Sequence, residues 1–407
     1  MNMDFIENGG VTSPRGFRAA GVCAGLKRNG ANDMALLFSE TPCAFSATFT
    51  SNLFPAAPVQ LCKERVLKQS TVQAVVVNSG VANACTGIEG YRNAEKMAEL
   101  TGRELGISPG SVMVCSTGRI GNQLPMDKIE NGIGLAAKAL RPDGGAEAAG
   151  AIMPTDTKPK EIALSFSSGD RLVTIGGMCK GAGMIAPKMT VPHATMLCCI
   201  TTDCVISNEL LASMLGDVID DSFNKVTVDG DMSTNDTVIV MANGASGVEI
   251  KPGSPDELHF KVALTMVAQH LARAIAMDGE GATKFVSVEV RGAASARDAE
   301  VCARTIANSL LCKTAWFGCD PNWGRVLAAA GRSGASFSPE NVSLNYDEMP
   351  VVRNGIDAGT PESELAQVLK RGEFTIKLDL GEGHGSFTVW TSDISYEYVK
   401  INADYHT

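Results

Sequence analysis

The chain has 407 residues, of which 44% are hydrophobic and 20% charged, with 42 glycines, which is the make-up of a loop-rich globular protein and excludes a disordered or fibrous one. A net charge of -10 opposes attraction to phosphate backbones, and no run of Lys or Arg forms a basic tract, so nucleic acid is not an expected partner. The length calls for one large or two ordinary domains. The 12 cysteines are scattered without a CxxC pair and read as reduced, mostly buried thiols. The start of the chain carries Asp4 and Glu7 where a secretory signal needs a basic and then an apolar stretch, and no apolar run approaches membrane-spanning length. A cytoplasmic, metal-free and cofactor-free enzyme with no membrane partner is expected.

Short apolar runs alternate with amphipathic segments along the whole chain, which predicts mixed α/β layers. Residues 72–77 and 112–115 are nearly continuous apolar runs, as in strands buried on both faces. Residues 142–150, rich in Gly and Ala, read as a surface break. The run 196–200 predicts another buried strand. Ser207 then caps a helix on which Leu210, Leu211, Met214, Leu215, Val218 and Ile219 recur at helical spacing. Asp229, Asp231 and Asp236 lack the spacing of a calcium loop and read as a hairpin turn. KPGSPD at 251–256 marks a second surface turn, and 257–277 repeats the helical pattern. Residues 285–290 and 374–380 alternate as half-buried strands do. There is no internal repeat.

The densest chemical signal is GGMCKGAGMIAPKMTVPHATMLCCITTD at 176–203, where a glycine-rich approach meets an apolar strand. Thr195 stands at that junction. Attack of its hydroxyl on the Ala194 carbonyl, followed by hydrolysis of the ester, would give Thr195 a free α-amino group. Such an amine has a pKa of about 7.7 to 8.0 and can take the hydroxyl proton with no histidine or carboxylate relay. That suits a chain with five histidines and no evident triad. Taken alone, an Ala-Thr pair reads more simply as a β-branched residue opening a strand.

The surrounding residues change that balance. KGAGMIAP followed by ATML resembles the self-processing segment of the ornithine acetyltransferase (glutamate N-acetyltransferase) family. GVTSPRGF from Gly10, VNSGVANACTG from Val77, STGRIG from Ser116, DGDMSTNDT from Asp229, DGEGATKF from Asp278, GCDPNWGR from Gly318 and the closing WTSDISYEYVKINADYHT resemble family blocks in the same order. One departure is visible: Lys180 and Thr195 lie fifteen positions apart, against eleven in the family pattern KGxGMIxPxMAT, so MTVPHAT carries four additional residues. Thr190 and Thr195 are then both possible registrations. Thr195 is preferred because ATML and the strand after it match as one unit.

The resemblance implies a layered α/β sandwich of α/β/β/α type, self-cleaved between Ala194 and Thr195. An α chain of residues 1–194 and a β chain of residues 195–407 would stay in one fold and assemble as α2β2. It implies ping-pong transfer of acetyl from N-acetylornithine to glutamate through Thr195, with acetyl-CoA open as a further donor. It assigns Thr117 and Gly118 to an oxyanion hole, at the end of the strand beginning at 112. Lys180 offers a cation for a substrate carboxylate and Glu280 a carboxylate for a substrate ammonium, where chemistry and resemblance agree. A substrate threonine is expected in MPTDTKPK, with Thr155 preferred to Thr157, and Asn402 and Thr407 match a terminal substrate-binding pair that would otherwise read as a frayed tail. His193 reads as exposed, and Cys198 and Cys199 as core thiols. Two other readings stand beside this one: a self-processing aminopeptidase or amidase, and an unprocessed binding protein.

Overall fold

The computed structural model describes residues 3–186 and 196–404. In chain order these form β1 (Met3–Phe5), β2 (Phe17–Val22), β3 (Met34–Phe49), α1 (Ala57–Lys68), β4 (Val72–Val81), α2 (Gly87–Leu105), β5 (Val112–Arg119), α3 (Met126–Ala139), α4 (Gly145–Ala151), β6 (Lys160–Ser168) and β7 (Arg171–Lys180). There follow β8 (Leu197–Thr202), α5 (Asn208–Asp220), β9 (Val226–Thr227), β10 (Thr237–Ala242), α6 (Pro255–Met277), β11 (Phe285–Ala293), α7 (Ala296–Ala307), α8 (Leu310–Phe317) and α9 (Trp323–Gly331). The chain continues with β12 (Ser343–Tyr346), β13 (Met349–Arg353), β14 (Ile356–Asp357), α10 (Glu362–Leu369), β15 (Glu373–Asp379), β16 (Gly385–Ser392) and α11 (Tyr396–Asp404).

The strands make two sheets. One runs β1-β6-β7-β8-β10-β3-β4-β5, with β2 added on β3, and the other runs β14-β13-β12-β15-β11-β16-β9. The long strand β3 joins two parts of the first sheet: its beginning pairs with β2 and β4, its end with β10. The pairs β4–β5 and β8–β10 are parallel, and such strands are covered on both faces, which is why their sequences are nearly unbroken apolar runs. The twofold alternation then distributes side chains between two cores. Leu197, Cys199, Ile239 and Met241 join the core shared with α1 to α4, while Cys198, Ile200, Val238 and Val240 join the one beneath α5 and α6. A third core lies between the second sheet and α7, α9 and α10.

Helix α5 is capped by Ser207, whose hydroxyl accepts from the Leu210 amide, and buries the six apolar residues expected of it. Helix α6 starts where KPGSPD ends: Ser254 accepts from the Glu257 amide and Pro255 occupies the first turn. It packs on β6 and β7 and also meets β9 and β16, so one helix bridges both sheets. The fold is thus mixed α/β with helices layered on sheets. Among the described residues no helix is long and apolar enough to cross a membrane.

Three local readings need correction. Residues 142–150 are no surface break. They lead into α4, where Gly145, Ala148, Ala149 and Ala151 are buried, because small residues let its backbone approach β2 so closely that a Cβ on Gly21 would lie 2.0 Å from the Glu147 carbonyl oxygen. Strand β11 is central, between β15 and β16, and its residues 285–288 are buried on both faces where alternation had suggested half-burial. The aspartate-rich loop after β9 is no hairpin either. It crosses from the second sheet to the first, since β9 and β10 belong to different sheets.

Candidate active site

Strand β5 brings in the first two residues. It pairs with β4 so that Thr117 faces Ser79 and Gly118 faces Gly80. Gly118 has φ +126°, and a Cβ there would lie 2.3 Å from the Gly80 carbonyl carbon, so glycine is required at this close approach. Strand β7 ends at Lys180, in register with Leu197 at the start of β8. The chain then turns through residues 181–185, and Asp229 holds that turn: its carboxylate accepts the Met184 amide at 2.7 Å and the Ile185 amide at 2.9 Å. Met184 is thereby kept at φ +55°, a left-handed conformation unusual for a long side chain. Burial pushes the Asp229 carboxyl up to about 6, against the three backbone amides that favour its ionised form.

Glu280 enters just after α6. Its amide donates to the Ala182 carbonyl at 2.9 Å, its side chain is buried, and its Oε2 accepts from Asn402 Nδ2 on α11 at 2.8 Å. Gly183 makes room for it, because a Cβ there would lie 2.4 Å from the Glu280 carboxyl. Thr155 belongs to a loop clamped by a buried ion cluster. Lys160 Nζ donates to Asp156 at 2.5 Å and to Asp278 at 2.6 Å, Asp156 also accepts the Gly181 amide at 2.6 Å, and Asp278 accepts both the amide and the hydroxyl of Thr157. Burial draws the Lys160 ammonium down, but Asp156 and Asp278 outweigh it and hold its pKa above the ordinary lysine range. The cluster therefore fixes the Thr155 loop, the exit from β7 and the end of α6 relative to one another.

These segments surround one cleft. Thr117, Gly118, Thr155, Lys180, Glu280 and Asn402 all line it, although they come from five separate stretches of sequence. Thr157, the rejected alternative to Thr155, is instead occupied with Asp278. Asn402 is exposed on an exposed helix and reaches the cleft through Glu280. Thr195, Ala194, Thr190, His193 and Thr407 lie outside the described residues. Cys198 and Cys199 are buried, and desolvation raises both thiols, Cys199 to about 12.

The sequence reading missed Asp236. The residue is 2% exposed, and its carboxyl accepts from Ser233 and from the Met196 amide and faces the Lys180 charge, yet among the described residues its Oδ2 has no hydrogen-bond partner. Burial drives its pKa well above the ordinary range. Ser233, Thr234 and Asn235 from the same loop line the cleft, and Asn235 Nδ2 ties the loop to the ends of β4 and β5 through the Ala82 and Ser116 carbonyls at 2.6 and 2.8 Å. STND carries no spacing signal for this. Only the crossing between sheets places it here.

A model of the ArgJ family matches residues 18–407. The chain belongs to that family. It is 50% identical over 402 residues to the arginine biosynthesis bifunctional protein ArgJ of Symbiobacterium thermophilum, covering 98% of this chain and 99% of the relative. It is 45% identical over 411 residues to the glutamate N-acetyltransferase of Methanocaldococcus jannaschii, covering 99% and 100%. Among solved structures, ornithine acetyltransferase from Mycobacterium tuberculosis, complexed with ornithine, is 42% identical and covers 46% of this chain and all of that one, with a TM-score of 0.44. Membership makes the chain an enzyme of the acetyltransferase class in arginine biosynthesis.

Proposed function

We propose that the protein transfers acetyl from N-acetylornithine to glutamate through an acetyl ester on Thr195, after cleaving itself between Ala194 and Thr195. The observation that carries this reading is the convergence of a cation, Lys180, and a hydrogen-bonded carboxylate, Glu280, on the cleft that also holds Thr117 and Gly118. That pair is the complement of an amino acid carrying a carboxylate and an ammonium. The name of the glutamate N-acetyltransferase relative supports glutamate as the acetyl acceptor.

In the first half-reaction the Thr195 oxygen attacks the acetyl carbon and its proton passes to the α-amine of the same residue. The tetrahedral oxyanion is held at Thr117 and Gly118, the C–N amide bond breaks, and ornithine leaves with that proton on its nitrogen. In the second, the glutamate amine attacks the ester, the C–O bond breaks, and Thr195 regains its proton as N-acetylglutamate departs. Acetyl-CoA as a second donor would feed the same ester, with CoA thiol leaving. The α2β2 assembly and a cytoplasmic location belong to the same proposal. A self-processing amidase would resolve the ester with water. The paired charges of Lys180 and Glu280 support an amino-acid acceptor instead.

Initial rates measured against both substrates test the mechanism. Parallel double-reciprocal lines and release of ornithine before glutamate is added are expected. Intersecting lines, or ornithine formation that requires glutamate, contradict a ping-pong route.

A further inference from the structure

A second cleft adjoins the first and shares Pro154 with it as a wall. Lys27, Arg28 and Arg119 bring three cations to it and Asp404 one carboxylate, a local reversal in a chain of net charge -10. The three cations are not equivalent. Lys27 Nζ is committed to backbone carbonyls, donating to Asn32 and Met153, both at 2.7 Å, and so anchors the Met153–Pro154 wall between the clefts. Arg28 and Arg119 have no ion-pair or side-chain hydrogen-bond partner among the described residues, and the Arg119 Nε is buried without one. A buried donor left unpaired is rare unless something absent from the protein itself satisfies it. Arg119 also directly follows Gly118 at the end of β5, so its guanidinium grows from the strand end that forms the first cleft.

The two amino acids of the proposed reaction present a conflict that this geometry resolves. The ornithine side chain ends in an ammonium, which suits Glu280. The glutamate side chain ends in a carboxylate, which Glu280 repels. One contact cannot serve both, and a separate cation is needed for the second. A guanidinium with free donors is the group best suited to read a carboxylate or a phosphate.

We propose that the Arg28–Arg119 cleft is an anion subsite, receiving the negatively charged far end of a substrate whose reacting group lies in the neighbouring cleft. The inference rests on the acetyl-transfer reading. Two substrates of that chemistry carry such an end: glutamate, through its side-chain carboxylate, and a phosphate-bearing thioester donor.

The test compares wild type with R119M and with R28A, whose side chain is exposed. The ornithine burst from N-acetylornithine and the KM values for glutamate and for acetyl-CoA are measured separately, with thermal midpoints as a folding control. The expected result is a glutamate KM raised on the order of tenfold in R119M, and less in R28A, with the ornithine burst unchanged. A rise confined to the acetyl-CoA KM supports the subsite and assigns it to phosphate. Unchanged KM values in both variants overturn it, as does a burst that slows in parallel with the other steps in well-folded protein. A wild type with no burst sinks the acetyl-transfer reading instead. Calorimetric titration with inorganic pyrophosphate then decides the subsite: heat that vanishes in R119M supports it, and no heat in wild type overturns it.

Discussion

Gly183 is where the cleft is most sensitive to a single methyl group. The Cβ of an alanine there would meet the end of the Glu280 side chain at 2.4 Å, so the carboxylate must swing away from Asn402 while the backbone stays in place. G183A is expected to lower kcat/KM for N-acetylornithine by about tenfold, the cost of one charged hydrogen bond, with little change in thermal midpoint. Asp229 gives a pH signature of opposite signs for stability and activity. Its folded pKa, about 6, lies above its ordinary value of 3.8. The stability it contributes is therefore full below 3.8 and is lost as pH rises through about 6. The ionised form is the better acceptor for the Met184 and Ile185 amides, so kcat/KM should fall as pH drops through the same value. D229N should remove the inflection near 6 from a pH–rate profile and leave the limb set by the Thr195 α-amine at about 7.7 to 8.0. An inflection near 6 that persists in D229N belongs to another group. At this scale the meeting of Lys180 and Glu280 in one cleft was legible through the motifs that hold them, KGAGMIAP and DGEGATKF, whereas either charge taken alone reads as a solvated surface residue. Asp236 was not legible: its burial beside Met196 depends on β8 and β10 being parallel neighbours, which no local pattern announces.

The elements are held to one another by the Lys160–Asp156–Asp278 cluster as much as by apolar contact. Removing the cation alone leaves two buried carboxylates without compensation, a change that typically costs about 3–5 kcal/mol. K160M should lose stability of that order in urea denaturation and raise the KM for N-acetylornithine, because the Thr155 loop and the exit from β7 lose their common anchor. A wild-type denaturation midpoint in K160M would show that the cluster contributes no net stability. Strands and helices were legible where a single periodicity governed them: the unbroken runs of β4, β5 and β8, and the apolar stripe of α5. Helix α4 was missed because Gly and Ala signal a turn locally, yet here their smallness serves backbone-to-backbone packing against β2.

For the whole molecule, the cleft is lined by chain segments far apart in sequence, while α6 bridges the two sheets and α11 returns the C-terminal region to Glu280. The α/β class followed from alternating segment types, whereas the division into a nine-stranded and a seven-stranded sheet did not, since pairing order is a tertiary property. The central claim is that one threonine, freed by cleavage of its own chain, carries the acetyl group. Intact-mass spectrometry of protein quenched after exposure to N-acetylornithine without glutamate tests it most directly, beside T195A handled identically. Two fragments meeting at Ala194 and Thr195 are predicted, the second heavier by one acetyl group that glutamate removes, and T195A should remain a single unacetylated chain. A single uncut wild-type chain that still turns over, or an acetyl group retained in T195A, would contradict the account.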